Sequence, residues 1–250
     1  MKTALITGSS SGIGKAVAEY FLKKGMRVIG LARDHTKFTW EGDNFISISI
    51  DLSNSTDLSN LLKNILKQYP NVSTLVSNAG FGDFRALENF SVSQIQQFIN
   101  VNLLSHIIVC RSLISHMKSQ GEGDIFLMGS EAALIGKRKS TLYSAAKFGL
   151  RGFAQSLKEE AGTSGVRVCL LNPGMVRSSF FEGLTFEPGE AFDNAIEPED
   201  IAKIIFDLQN LRAGTIVEEV NFSKTSFKNK KNSIFIPLID VSTDSIEDEW

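Results

Sequence analysis

The sequence predicts an α/β fold: a doubly wound, Rossmann-like parallel sheet in a single domain, with helices on both faces. Three observations carry this. Short β-branched runs alternate with longer amphipathic stretches as far as residue 222. The short runs are nearly continuous in apolar residues, as strands buried on both faces are. The first of them ends in a glycine cluster, Thr7-Gly8-Ser9-Ser10-Ser11-Gly12-Ile13-Gly14, that opens into a helix. Regular β-α alternation requires crossover connections and hence a parallel sheet covered by helices.

The elements follow in order. Residues 2–7 read as the first strand. Residues 13–24 read as a helix with Val17, Tyr20 and Phe21 on its apolar face and Gly25 as its stop. Strands are expected over 26–31 and 45–50. The helix expected over 56–69 carries Leu58, Leu61, Leu62, Ile65 and Leu66 on one stripe. A strand over 72–77 follows. Ser91 starts one helix, and a separate, long apolar helix spans 102–118. Residues 124–128 read as a strand, 141–161 as a helix and 166–171 as a strand. Pro198 sits near the start of a helix over 198–211, and 215–222 closes as the last strand. Residues 223–250 read as an appended tail: basic over 224–231, apolar over 234–239 around Pro237, acidic over 244–250.

Composition limits the function. The chain of 250 residues is 42% hydrophobic and 22% charged, ordinary for a folded domain with a sizeable core. Its 26 Lys and Arg against 28 Asp and Glu leave a net charge of -2, with no basic excess to neutralise a phosphate backbone. No nucleic-acid partner is expected. Apolar runs such as 103–110 are broken well short of the roughly 20 residues that span a bilayer, and no targeting segment is read, so the expectation is a cytoplasmic protein without a membrane partner. Cys110 and Cys169 form no ligand pattern and read as buried thiols of a reducing compartment. His106 and His116 are about 15 Å apart along one expected helix, too far to share an ion, and His35 is isolated, so no metal is expected.

The glycine cluster has the spacing G-x3-G-x-G. Glycines at a strand-to-helix joint allow a tight turn and let backbone N–H groups approach an anion at a helix N-terminus. Alone, such a cluster is as often only a turn. Lys15 follows Gly14, but Ala16 comes next, which disfavours a nucleoside triphosphate loop. At the tip of the second strand, Ala32 stands where an acid would bind the ribose 2′-OH of NAD. Arg33 follows, suited to the 2′-phosphate of NADP, and Asp34 comes two positions late. This favours NADP and leaves NAD open; the alternative for Arg33 is a solvated loop charge.

Tyr143-Ser144-Ala145-Ala146-Lys147 places a phenol and an ammonium at i and i+4, on one helix face. A free phenol is a poor base near neutrality; bringing it to pKa 7 needs roughly 4 kcal/mol of differential interaction, which a neighbouring cation could supply. Ser130 lies just past a strand's carboxyl end, where open α/β sheets bind ligands, and could hydrogen-bond a substrate oxygen; it could equally just leave the strand. Asn102, in an apolar stretch, is either a satisfied core amide or the holder of a water.

With these residues in place, the chain resembles the short-chain dehydrogenase/reductase family from residue 1 to about 222. Matching features are the Thr7–Gly14 loop, Asp51 after the third strand, Ser77-Asn78-Ala79-Gly80, Asn102, Ser130 with Tyr143 and Lys147 beyond it, and Asn172-Pro173-Gly174. The resemblance implies one dinucleotide-binding and catalytic domain over 1–222 and a catalytic tetrad of Asn102, Ser130, Tyr143 and Lys147. It implies cofactor contacts from Gly8, Ser10, Ser11, Gly12, Ile13, Gly14, Arg33, Asp51 on the adenine amino group, Leu52, Asn78, Ala79 and Gly80. Tyr143, Lys147 on the nicotinamide ribose, Pro173, Gly174, Val176 and Ser178 complete that set. It implies hydride transfer between NADP(H) and a carbonyl or secondary alcohol, and a homodimer or homotetramer. Three positions depart from the family: Ser77 in place of Asn, Ser178 in place of Thr, and Glu218-Glu219-Val220-Asn221-Phe222 in place of Asp-Gly-Gly. The last is expected to affect assembly and not the active site. Residues 81–85 and 175–195, rich in Phe, are expected to line a pocket for a fairly apolar small molecule. Arg85, Lys137 and Arg177 either pair with an acidic substrate group or are solvated surface charges. A cofactor-sensing protein without catalysis, or an isomerase or dehydratase that recycles its cofactor, are the competing readings.

Overall fold

The computed structural model describes residues 1–225, Phe192 by its backbone alone. Seven strands form one parallel sheet in the order β3-β2-β1-β4-β5-β6-β7. They are β1 (Thr3–Thr7), β2 (Arg27–Ala32), β3 (Phe45–Ser49), β4 (Val72–Ser77), β5 (Gly123–Met128), β6 (Val166–Pro173) and β7 (Glu219–Phe222). The helices are α1 (Gly12–Lys23), α2 (Ser55–Gln68), α3 (Val92–Ile99), α4 (Ser105–Gln120), α5 (Thr141–Ala161) and α6 (Pro198–Gln209). The doubly wound prediction holds, with most element ends within two residues of those read from the sequence. The last strand is the exception: it begins at Glu219, where its register with β6 starts opposite Leu170.

The inner strands are largely apolar and buried because both their faces are covered. Leu5, Leu75, Ile125 and Leu127 point into one core, closed by α2, α4 and α5. Their neighbours Ala4, Ile6, Val76 and Phe126 point into a second, closed by α1 and α6. Strand order reverses between β1 and β4, and there the crossovers diverge and leave a cleft at the strands' carboxyl ends.

Two expectations are corrected on the α3–α4 segment. The sequence reads two helices; the structure joins them through a π-helical turn, Asn100–Leu104, into one rod. One residue inserted per turn shifts the apolar stripe out of phase, so a 3.6-residue pattern breaks there although the backbone continues. The joined helix Val92–Gln120 is therefore long and apolar enough, by length and composition, to cross a bilayer. Here it packs on the sheet through Val109, Cys110, Leu113 and Met117. The tail read over 223–250 falls, from residue 226 onward, outside the described residues.

Candidate active site

The cleft holds about 2240 Å³. Pockets for drug-sized ligands run to about 1,000 Å³, so this one has room for a dinucleotide and a second molecule.

One half is built from main chain. Thr7, at the end of β1, accepts the Asn78 and Ala79 N–H groups on its Oγ1 at 2.9 and 3.0 Å. Asn78 returns its Nδ2 to the Thr7 carbonyl at 3.1 Å. The ends of β1 and β4 are thus stapled, and the chain must turn away from a wall with no room. Gly8 does so at φ +68°, and a Cβ on it would come within 2.9 Å of the Ala79 Cα. Gly12 turns at φ +51° into α1, whose N-cap Ser11 makes no side-chain cap, leaving the helix's first N–H groups open. Gly8, Ser10, Ser11, Gly12 and Ile13 line the cleft, as do Arg33, Asp51, Leu52, Asn78, Ala79 and Gly80. Gly14 does not. It lies beneath, where a Cβ would strike the Gly8 carbonyl, so its glycine serves packing and not ligand contact.

Beyond β2, Ala32 and Arg33 are joined at the cleft by Lys37, which the sequence reading missed although it is basic and four residues from Arg33. The Asp34 carboxylate is engaged by the Thr36 N–H at 2.8 Å and hydroxyl at 2.9 Å, which hold it below the usual carboxylate range. Asp51 is likewise lowered, chiefly by the Ser53 N–H and also by the nearby Arg33 charge.

The other half gathers the four tetrad candidates. Ser130, Tyr143 and Lys147 line the cleft at 8%, 8% and 3% exposure, with Asn102 fully buried beside them. Burial pushes the Tyr143 phenol up to about 12; a hydrogen bond with Ser130 pulls down, and the Glu131 carboxylate pushes further up. Burial also brings Lys147 down to about 8. Its Nζ donates to the Met128 carbonyl at 2.8 Å and lies 5.7 Å from the Tyr143 ring centroid. The expectation that the ammonium acidifies the phenol is therefore not met in the free protein: desolvation wins over a cation that is spent on a carbonyl. Asn102 sits in the π-helical turn. Its Oδ1 accepts the Phe81 N–H and its Nδ2 donates to the Phe98 carbonyl, each at 3.1 Å, so its amide is a satisfied brace between the helix and the loop after β4.

Two partnerships were invisible in the sequence. Asn172 Oδ1 accepts the Ser130 N–H at 3.2 Å, and its Nδ2 donates to Glu219 at 2.6 Å and to Asn221 at 3.0 Å. The unusual residues of β7 thus reach Ser130 through one side chain, against the expectation that they concern assembly alone. Below Asn102, one helical turn on, His106 is fully buried with its Nδ1 2.7 Å from the Ser77 hydroxyl. The departure at Ser77 is the partner of that imidazole, which burial and the Lys147 charge depress to about 3.

Pro173, Gly174, Val176 and Ser178 continue along the cleft. A Cβ on Gly12 would lie 3.2 Å from that of Ser178, so the loop after β6 closes directly over the glycine turn. Arg177 holds this loop through Glu197 at 2.8 Å and the Gly189 carbonyl at 2.9 Å. Arg85 is paired with Asp83 and Lys137 with Glu131, both at 2.8 Å. Each of the three cations is thus ion-paired while its side chain stays about a third to over half exposed.

A parallel sheet with a glycine cradle at its switch point and a buried Ser-Tyr-Lys group facing it defines a dinucleotide-dependent oxidoreductase architecture. The short chain dehydrogenase family model matches residues 2–187. A 3-oxoacyl-acyl-carrier-protein reductase of Buchnera aphidicola is 34% identical over 188 residues, covering 73% of this chain and 77% of that protein. The alcohol dehydrogenase of Thermococcus sibiricus, solved with 5-hydroxy-NADP, superposes with a TM-score of 0.80 at 26% identity over 92% of this chain and 99% of that one. The 3-ketoacyl-(acyl-carrier-protein) reductase of Brucella melitensis, solved with NADH, gives 0.76 at 25% identity over 88% and 96%. The chain belongs to the short-chain dehydrogenase family, whose members are oxidoreductases that bind NAD(P) and act on small molecules.

Proposed function

We propose that the protein is an NADP(H)-dependent reductase of a carbonyl to a secondary alcohol. The observation that carries this is the Tyr143 phenol, buried and held protonated, lining with Ser130 and Lys147 the same cleft as the glycine cradle. The cradle fits the group: positive-φ glycines, an uncapped helix and Asp51 at its far end match a dinucleotide's diphosphate and adenine. Bound there, NADP(H) supplies or accepts the hydride.

The chain's own residues do the rest. Ser130 and Tyr143 direct two hydroxyls at the substrate oxygen, and Tyr143 donates the proton as that oxygen gains charge. A phenol pushed up to about 12 is an acid and not a base at neutral pH, which supports reduction as the working direction. Lys147, cationic below about 8, binds the ribose and restocks the phenol's proton, so reductive kcat falls as pH rises through that value. Asn102 acts by position, since both ends of its amide are taken. Arg33 and Lys37 bind the 2′-phosphate, while each Asp34 oxygen is already engaged by Thr36.

Two measurements test this. Tyr143→Phe loses about 10²- to 10⁴-fold in kcat with NADPH affinity nearly intact; retained turnover sinks the assignment. Arg33→Ala weakens NADPH binding about tenfold to a hundredfold by fluorescence titration and leaves NADH unchanged; equal losses for both would remove the NADP preference. We further infer a cytoplasmic homodimer or homotetramer, without nucleic-acid or membrane partners, packed through the exposed side of α5 around Phe148, which is 44% exposed. A monomer in light scattering rejects that assembly.

A further inference from the structure

The substrate end of the cleft has a feature that proton and hydride transfer do not require. Four phenylalanines close a cycle of edge-on contacts. Their centroids are 6.5 Å apart for Phe84 and Phe180, 5.2 Å for Phe180 and Phe181, 5.7 Å for Phe181 and Phe186, and 5.1 Å for Phe186 and Phe84. The ring planes meet at 69° to 74°. Tyr143 joins the cycle on one side, 5.1 Å from Phe84 and 5.9 Å from Phe180. Two separate loops build it: Phe84 follows β4, the other three follow β6. Rings this close leave no hollow between them, so the cycle is a wall and not a cage. Phe186 is 39% exposed, so part of the wall faces water until something covers it.

A wall of alternating ring faces and edges discriminates in a way that aliphatic side chains do not. An aromatic guest gains quadrupole-matched contacts beyond the area it buries, and a saturated guest of equal size gains only the area. Charge narrows the class further. Lys137 is paired with Glu131 and Arg85 with Asp83, each at 2.8 Å, so a carboxylate next to the reacting carbonyl would have to compete with a carboxylate already in place for either cation. We propose that the substrate is an uncharged ketone or aldehyde with an aromatic ring attached at or next to the carbonyl carbon, the ring lying on the Phe84–Phe180–Phe181–Phe186 wall while its oxygen meets Tyr143 and Ser130. This rests on the reductase reading above.

The test compares acetophenone with cyclohexyl methyl ketone, which differ in ring saturation and little in size, as substrates for the intact protein, Phe84→Leu and Phe180→Leu. Conjugation alters the intrinsic reactivity of the aryl ketone equally in all three proteins, so it cancels when their aryl-to-cyclohexyl ratios of kcat/KM are compared. The wall predicts that this ratio drops about twofold to tenfold in each variant, with NADPH titration confirming that each is folded. An unchanged ratio in both variants overturns the proposal, as does an equal loss for both ketones. Benzoylformate turned over better than acetophenone overturns the exclusion of charge. Butane-2,3-dione, too small to need the wall, separates the two readings. Its reduction by the intact protein, together with an unchanged ratio, removes the aromatic specificity alone. Bound NADPH with no turnover of any of the four carbonyls removes the reductase reading and this inference with it.

Discussion

The two walls of the cleft are made differently. The cofactor wall is main chain: strand ends clamped by the Thr7 hydroxyl, and glycines pressed against carbonyls and Cα atoms. The substrate wall is side chain: phenylalanine rings on loops with short 3-10 turns, held in place by Arg177. A ligand whose shape does not change is met by backbone, which cannot be altered without moving the chain. A ligand that varies between enzymes is met by side chains, which can be exchanged while the scaffold stays.

The sharpest way to break this contrast is to add one methyl group to the cofactor wall. On Gly14 a Cβ would run into the Gly8 carbonyl and lie 2.6 Å from Asn78 Nδ2. Neither neighbour can yield, because Asn78 is bonded to the Thr7 carbonyl and the Gly8 N–H to the Leu31 carbonyl. Gly14→Ala is expected to lose about 3–5 kcal/mol of stability or a matching share of NADPH affinity. Denaturant unfolding and fluorescence titration together read both routes.

The second test lies beneath the same wall. His106 is neutral when folded, with a pKa brought to about 3, against an ordinary 6.5 when unfolded. Between those values the unfolded chain binds more protons, so stability rises with pH there and is lost as pH falls from 6.5 towards 3. This group alone contributes about 3 kcal/mol of loss between pH 7 and pH 4. Ser77→Ala combined with His106→Leu, which leaves no orphaned partner, should flatten that part of the profile. Unfolding curves at pH 7, 5.5 and 4 show it, and an unchanged slope would assign the acid lability elsewhere.

Much of this molecule was legible beforehand because its signals are local. Buried parallel strands are largely apolar, so their positions along the chain were readable; a glycine where the chain turns under a carbonyl marks itself. Nineteen positions had been singled out along the cofactor and tetrad besides Gly14, and they line one cleft. What stayed hidden is what depends on distance. Ser77 and His106 are 29 residues apart, and Asn172 and Glu219 47, and nothing in either stretch points to the other. The π-helical turn at Asn102 hid as a break between two helices. The phenol's acidity was misjudged because a sequence shows that Lys147 is one turn away, not that its ammonium faces the Met128 carbonyl or that burial outweighs it.

The smallest effect is the most diagnostic of the division between the walls. Gly82 lies on the substrate side, and a Cβ there would come within 2.6 Å of Phe84 Cε2 and 2.8 Å of Phe180 Cζ. These contacts are too short to stand, as at Gly14, but they are less severe, and the atoms struck are the far ends of rings with torsional freedom and not backbone. Gly82→Ala should therefore move two rings and little else. Stability should change by less than about 0.5 kcal/mol and NADPH affinity should hold, while KM for a carbonyl rises about twofold to fivefold through the displaced wall. Steady-state kinetics beside a cofactor titration separate these terms. A loss of NADPH affinity in this variant would mean that the rings transmit strain to the glycine turn, and that the two walls respond as one body.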